Sequence, residues 1–175
     1  MKHKMQSKDL IAMALYELLY KGKSIDKISI SELCQKAGVS RMSFYRSYDG
    51  VKDIIVSYCD ERFEEFYREY IAKESDMKTL LSNILIFIKS YQRQFKLLAD
   101  NKLENIFLEQ LYSYVKYVTA NYAKAGSPSY NYLKNPLANS FFAGGLNMVI
   151  IQWSKTNMTT PVEEIVDNLT KLIGA

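Results

Sequence analysis

Apolar side chains recur at helical spacing along most of the chain. Leu10, Ile11, Ala14, Leu15, Leu18 and Leu19 fall on one face of a first helix, and Gly22 supplies a stop. Leu33, Cys34 and Ala37 mark a short second helix, and a third is predicted from Arg41 to about Tyr48. Asp49-Gly50 breaks the chain before a long helix from about Val51 to Lys73. Residues 77–98 carry Leu81, Ile84, Leu85, Ile88, Tyr91, Phe95 and Leu98 at helical spacing, and residues 102–124 carry Leu103, Ile106, Phe107, Leu111, Tyr114, Val115, Val118 and Tyr122. The segment Ala125-Gly126-Ser127-Pro128 reads as a loop. A helix from about Asn135 to Lys155 follows, then a last one with Thr160 as N-cap, Pro161 at its first position and a stripe of Val162, Ile165, Val166, Leu169, Leu172 and Ile173. The expectation is an all-α protein.

The punctuation between helices is most informative at residues 29–48. Ser29-Ile30-Ser31-Glu32 has the capping-box spacing, in which the serine hydroxyl caps the helix and the glutamate reaches back. Gly38 suits the left-handed position after a helix, where a Cβ is disfavoured, and Ser40 is the natural N-cap of the next helix. Two short helices joined at Ala37-Gly38-Val39-Ser40, with a longer helix in front, have the layout of a helix-turn-helix DNA reader. Any helical hairpin with a glycine turn shares that spacing. The side chains suit DNA: hydroxyls stand at two helix starts, and Arg41 and Arg46 lie on or near the outer face while Val39 and Phe44 point inward.

Charge is placed in the same region. Of 175 residues, 1–58 hold 10 Lys/Arg against 6 Asp/Glu, while 59–175 hold 13 of each. The excess of +4 therefore belongs to the first third, as expected of a module that meets a polyanion. A solvated basic surface gives the same count. Only 7 Gly and 3 Pro are present, too few for a sandwich or barrel that turns every 8–12 residues. The longest nearly apolar run, Phe141–Ile151, includes Asn147 and is too short to span a bilayer. Lys21-Gly22-Lys23 stands where a signal-peptide cleavage site would need small residues, so the chain reads as cytoplasmic.

The string Ile28-Ser29-Ile30-Ser31-Glu32-Leu33-Cys34-Gln35-Lys36-Ala37-Gly38-Val39-Ser40-Arg41-Met42-Ser43-Phe44-Tyr45-Arg46-Ser47-Tyr48, preceded by Ile11-x-x-Ala14-x-x-x-Leu18, resembles the N-terminal module of the tetracycline-repressor (TetR) family of transcription regulators. Its most specific piece is Ala37-Gly38-Val39-Ser40-Arg41-x-Ser43-Phe44-Tyr45, close to that family's AGVS-x-x-T-[FL]-Y. The resemblance covers about residues 8–56. It implies a DNA-binding head at 1–50 and a helical ligand-binding and dimerisation domain at 51–175. It assigns phosphate contacts to Ser29 and Tyr45, and base-edge or nearby contacts to Arg41, Met42 and Ser43. Ser31, Ser40, Arg46 and Lys52 complete the candidate DNA-facing set. Two residues depart from the family pattern: Ser47 replaces a usual His or Tyr, and Val51 replaces a usual Lys that touches a phosphate. Lys52, rotated about 100° from it on a helix, is the nearest substitute.

The same resemblance implies a homodimer joined through the last two helices, with Phe141, Phe142, Gly144, Gly145, Val149, Trp153, Ile165 and Leu169 as candidate interface residues. Burial within one subunit would give much the same pattern. A small-molecule effector is implied too, and Phe87, Tyr91, Phe95, Phe107, Tyr114 and Asn147 are candidate pocket residues, although aromatic stripes at this spacing also build ordinary cores. The expected activity is that of a ligand-responsive repressor on a near-palindromic operator; the other reading is a TetR-fold co-activator that works through a protein partner. No cofactor or metal is expected. The one histidine is His3, Cys34 and Cys59 stand apart, and no Gly-rich phosphate loop or Cys-x-x-Cys pair occurs, which leaves an enzyme without support.

Overall fold

The computed structural model describes residues 6–70, 76–122 and 134–173. Regular structure among them is entirely helical: α1 (Ser7–Tyr20), a 3-10 turn (Ile25–Lys27), α2 (Ile30–Ala37), α3 (Arg41–Tyr45), α4 (Val51–Glu69), α5 (Met77–Ser90), α6 (Gln92–Asp100), α7 (Glu104–Tyr122), α8 (Pro136–Lys155) and α9 (Val162–Ile173). The predicted loop at 125–128, the end of the long helix at Lys73 and His3 lie outside the described residues. The chain divides into two compact units, Met1–Glu61 and Arg62–Ala175, so α4 contributes to both.

In the first unit α1 packs on α2 and α3, and α2 packs on α3. Ile11, Leu15, Leu19, Leu33, Phe44, Ile54 and Ile55 are fully or almost fully buried there. At about 25 cal/mol per Å² of apolar surface removed from water, these are the side chains that hold so small a unit together. The third helix is shorter than the sequence predicts. Its last turn tightens, with the Ser47 and Tyr48 N–H groups both donating to the Phe44 carbonyl, at 2.9 and 3.0 Å. That turn carries Tyr48 into the core, where it is buried against the Phe44 ring (centroids 5.8 Å apart) and its hydroxyl donates to the Lys8 carbonyl at 3.4 Å.

In the second unit α5 packs on α6 and α9, and α8 packs on α6 and α7. The single periodic run at 77–98 is two helices, because Tyr91 leaves helical geometry (φ −108°, ψ 23°) and ends α5 while opening α6. The next helix opens at Glu104, after a turn in which Lys102 takes a positive φ of 57° and Leu103 N–H reaches back to the Leu98 carbonyl at 2.9 Å. Asn135 caps α8, its Oδ1 accepting from Leu137 N–H at 2.8 Å. The α8–α9 turn holds two non-glycine residues at positive φ, Asn157 (52°) and Met158 (50°); burial of the Met158 side chain opposes the backbone cost.

Candidate functional site

The turn at residues 37–43 is built as its residue types dictate. Gly38 sits at φ 67°, ψ 31°, and its N–H closes α2 by donating to the Gln35 carbonyl at 3.2 Å. Ser29 Oγ accepts from Glu32 N–H and Ser40 Oγ from Ser43 N–H, each at 3.1 Å, so each short helix has its N-terminal cap. The capping box at α2 is half formed. The Glu32 carboxylate pairs with Lys23 instead of the Ser29 backbone, tying the segment after α1 to α2.

Phe44, with no exposure, anchors α3 and turns the opposite side of the helix outward. Arg41, Met42, Tyr45 and Arg46 are all exposed, and Ser43 is half-buried. Met42 is 74% exposed and Tyr45 51%. Arg41 leans on Tyr45: its Nη2 lies 3.4 Å from the tyrosine hydroxyl and its guanidinium carbon 5.9 Å from the ring centroid. That hydroxyl is the main reason the Arg41 pKa lies above its ordinary value. Ser29, Ser31 and Ser40 are exposed at the helix starts.

Ion pairing changes the simple charge picture of this unit. Lys8 pairs with Glu61, Lys23 with Glu32 and Lys36 with Glu17. Lys52 stands 3.6 Å from Asp26, both largely exposed, a contact of the kind worth well under about 1 kcal/mol and easily exchanged for another anion. Arg46 and Lys27 have no ion pair among the described residues. Lys27 lies two residues before the cap of α2 and is exposed, a position the sequence reading passed over. Its proximity to the Ser29 cap was the available signal.

The regulatory candidates fall into separate groupings. Phe87 contacts Tyr91 (5.0 Å between centroids) and Phe66 (4.9 Å), and Arg62 Nη1 reaches the Tyr91 hydroxyl at 3.5 Å. Phe95 meets Phe107 edge-on at 4.7 Å, and Tyr114 stacks on Phe63 at 3.8 Å. Asn147 is buried, and its Oδ1 has no hydrogen-bond partner among the described residues; Asn139, two turns earlier on α8, is in the same condition. Sequence reasoning singled out Asn147 but missed Asn139, because neither periodicity nor motif marks an unmet acceptor.

Among the candidate interface residues, Phe141 is 73% exposed, Gly145 is exposed, and Phe142, Gly144, Val149, Ile165 and Leu169 are half-buried. Trp153 is buried inside its own subunit, its Nε1–H donating to the Thr160 carbonyl at 3.0 Å and the Lys89 ammonium 5.8 Å from its ring. Leu137, Met148 and Leu172 are exposed apolar residues outside the candidate interface set, Leu172 although it belongs to the apolar stripe expected of the last helix. Leu137, Phe141, Gly144 and Met148 repeat at i, i+4, i+7 and i+11, a stripe legible only once it is known which face of α8 is inside.

No helix among the described residues is long and apolar enough to cross a membrane, and no metal-liganding cluster of three or more side chains occurs among them. Residues 75–174 match the TetR-family model described as "Transcriptional regulator C-terminal region". No curated protein matches the chain. Among solved structures it is similar to Lin0861 from Listeria innocua, at 19% identity and TM-score 0.76, over 94% of this chain and 90% of that one. It is also similar to the fatty acid degradation regulator FadR from Bacillus halodurans, at 17% identity and TM-score 0.56, over 98% and 96%. These two likenesses are of fold. The sequence match spans more than half of the chain, and with the helical architecture it places this protein in the TetR family of transcriptional regulators, a non-enzymatic family whose membership implies DNA binding.

Proposed function

We propose that the protein is a ligand-responsive repressor that binds a near-palindromic DNA operator as a homodimer. The observation that carries the reading is the outward face of α3, where Arg41, Met42, Tyr45 and Arg46 stand exposed around a buried Phe44 while serine hydroxyls cap the starts of α2 and α3. In this reading Arg41, Met42 and Ser43 meet base edges. Ser29, Ser31, Ser40, Tyr45, Arg46 and Lys52 meet the backbone, with Lys27 added from the structure. Two such heads, held about 34–36 Å apart, fit successive major grooves.

The dimer face is assigned to the α8 stripe Leu137, Phe141, Gly144, Gly145 and Met148, and to Ile165, Leu169 and Leu172 of α9, with Phe142 and Val149 beside it and Trp153 behind. Open space at the Cβ positions of both glycines leaves room for a second backbone to approach. The effector is assigned to the second unit, near Phe87, Tyr91, Phe95, Phe107 and Tyr114, with Asn147 offering its unmet acceptor to a donor on the ligand. An effector shifts DNA affinity only by its own difference in affinity between the two head arrangements, with α4 as the shared element. The carried-over domain division is a head at 1–50 and a regulatory body at 51–175.

A second reading, a co-activator working through a protein partner with little DNA affinity of its own, is favoured by one observation. Val51 stands where the family carries a phosphate-binding lysine, and neighbouring Lys52 faces Asp26. Fluorescence anisotropy near 0.15 M salt separates the two, using the purified protein on its own upstream DNA and on a scrambled duplex. A preference of roughly a thousandfold supports the repressor reading. Equal, weak binding to both, converted to specific binding only by an added protein, supports the co-activator.

A further inference from the structure

Four side chains at the start of α3, those of Ser40, Arg41, Met42 and Ser43, stand where a base could be read. Ser40 Oγ accepts from Ser43 N–H at 3.1 Å and lies 3.1 Å from Ser43 Oγ, so the two hydroxyls serve the cap and each other. A hydroxyl has one donor and two acceptor lone pairs, so these bonds leave each serine capacity for a polar contact with DNA but none for an apolar one. Arg41 and Met42 complete the turn. Arg41 has its guanidinium fork held beside Tyr45. Met42 projects from the same turn at 74% exposure, the most exposed large apolar side chain among the described residues of the first unit. Its immediate chain neighbours, Arg41 and Ser43, are polar.

The major groove presents hydrogen-bond donors and acceptors and one apolar group, the 5-methyl of thymine. An unbranched, polarizable thioether suits that group and offers no hydrogen-bond donor to the others. We infer that Met42 is a specificity-determining residue that packs on a thymine methyl, next to a guanine taken by Arg41 through O6 and N7. The inference rests on the DNA-reading function proposed above and names its chemistry. It also implies that 5-methylcytosine, which carries a methyl at the same place, is accepted by Met42 where cytosine is not.

The test starts from a selection of binding sequences from a random duplex pool. Each thymine of the selected half-site is then replaced by deoxyuridine, which removes only the methyl, symmetrically in both halves. For the unmodified protein, one symmetric pair should be sensitive, losing roughly fourfold per half-site and about fifteenfold for both, the worth of one buried methyl group each. Met42→Ala should bind the thymine duplex more weakly by a similar factor and bind the deoxyuridine duplex no worse than that. Because Met42 is exposed, this variant should keep its far-ultraviolet circular dichroism spectrum, which is checked in parallel. Indifference of the unmodified protein to deoxyuridine at every position overturns the inference, as does an unchanged penalty in Met42→Ala. If the selection returns no sequence, the DNA-reading function itself fails and this inference falls with it.

Discussion

Tyr45→Phe removes one oxygen from the proposed interface and leaves everything else in place. In the free protein the hydroxyl's contact is a long one, 3.4 Å to Arg41 Nη2 on an exposed surface. Its loss should therefore change folding stability by less than about 0.5 kcal/mol, as for surface substitutions generally. Against a phosphate the same hydroxyl would make a hydrogen bond to a charged partner, worth about 1.5–3 kcal/mol. That is roughly tenfold to a hundredfold per head, and the square of it for a dimer that uses both. Phosphate contacts carry no base information, so the loss should be equal on operator and scrambled DNA. A hydroxyl also releases no counterion, so the slope of log affinity against log salt should stay unchanged. The assay is anisotropy titration of both duplexes at several salt concentrations. Unchanged affinity at fixed salt, or a loss confined to the operator, would refute the phosphate role.

Lys27→Ala should instead weaken binding to all sequences and lower the salt slope by about one unit per head, measured in the same titrations. Gly38→Ala should cost about 1–2 kcal/mol in urea unfolding, because φ is 67° and an added Cβ meets nothing within 4 Å; Gly38→Asn should cost less, and an equal cost would point to an unseen clash. Burial, helped by Asp60, pushes the Cys59 thiol up to about 12 from an ordinary value near 9. The unfolded thiol therefore ionises first as pH rises. This contribution to stability is complete below about pH 9 and is lost towards pH 12, and Cys59→Ser should flatten that part of the profile in unfolding monitored by circular dichroism. Replacing Leu137 and Phe141 together by Glu should leave a folded monomer in sedimentation, since both side chains are exposed within the subunit. A dimer that survives would move the interface elsewhere.

Local signals were the legible part of the fold. The Ser29 and Ser40 caps, the left-handed Gly38 and the start of α4 after Asp49-Gly50 are decided by backbone chemistry within four residues, and each is found where the sequence puts it. The missed boundaries have tertiary causes. The apolar spacing across 77–98 continues through Tyr91, yet the chain bends there, and nothing in a periodic pattern separates one helix from two that share a buried side. The end of α3 was set by Tyr48 being drawn under Phe44, a contact that spacing does not encode. Half of the α2 capping box was lost to Lys23, a partner nine residues away that competes for Glu32.

Charge illustrates the same limit at the candidate site. A count gives the first third of the chain an excess of +4, but Lys8, Lys23 and Lys36 each have a carboxylate beside them. Those pairs neutralise their own neighbourhoods and contribute little to a field felt by a phosphate one Debye length away, about 8 Å at physiological salt. Among the described residues of the first unit, Lys21, Lys27, Arg41 and Arg46 have no ion pair, and Lys52 is released only if Asp26 gives it up. The charge of these cations acts on any DNA sequence alike, so discrimination in the proposed reading rests on base contacts. That places the burden on the first turn of α3, where Arg41 offers a guanidinium fork, Ser43 a hydroxyl, and Met42 the one exposed apolar side chain.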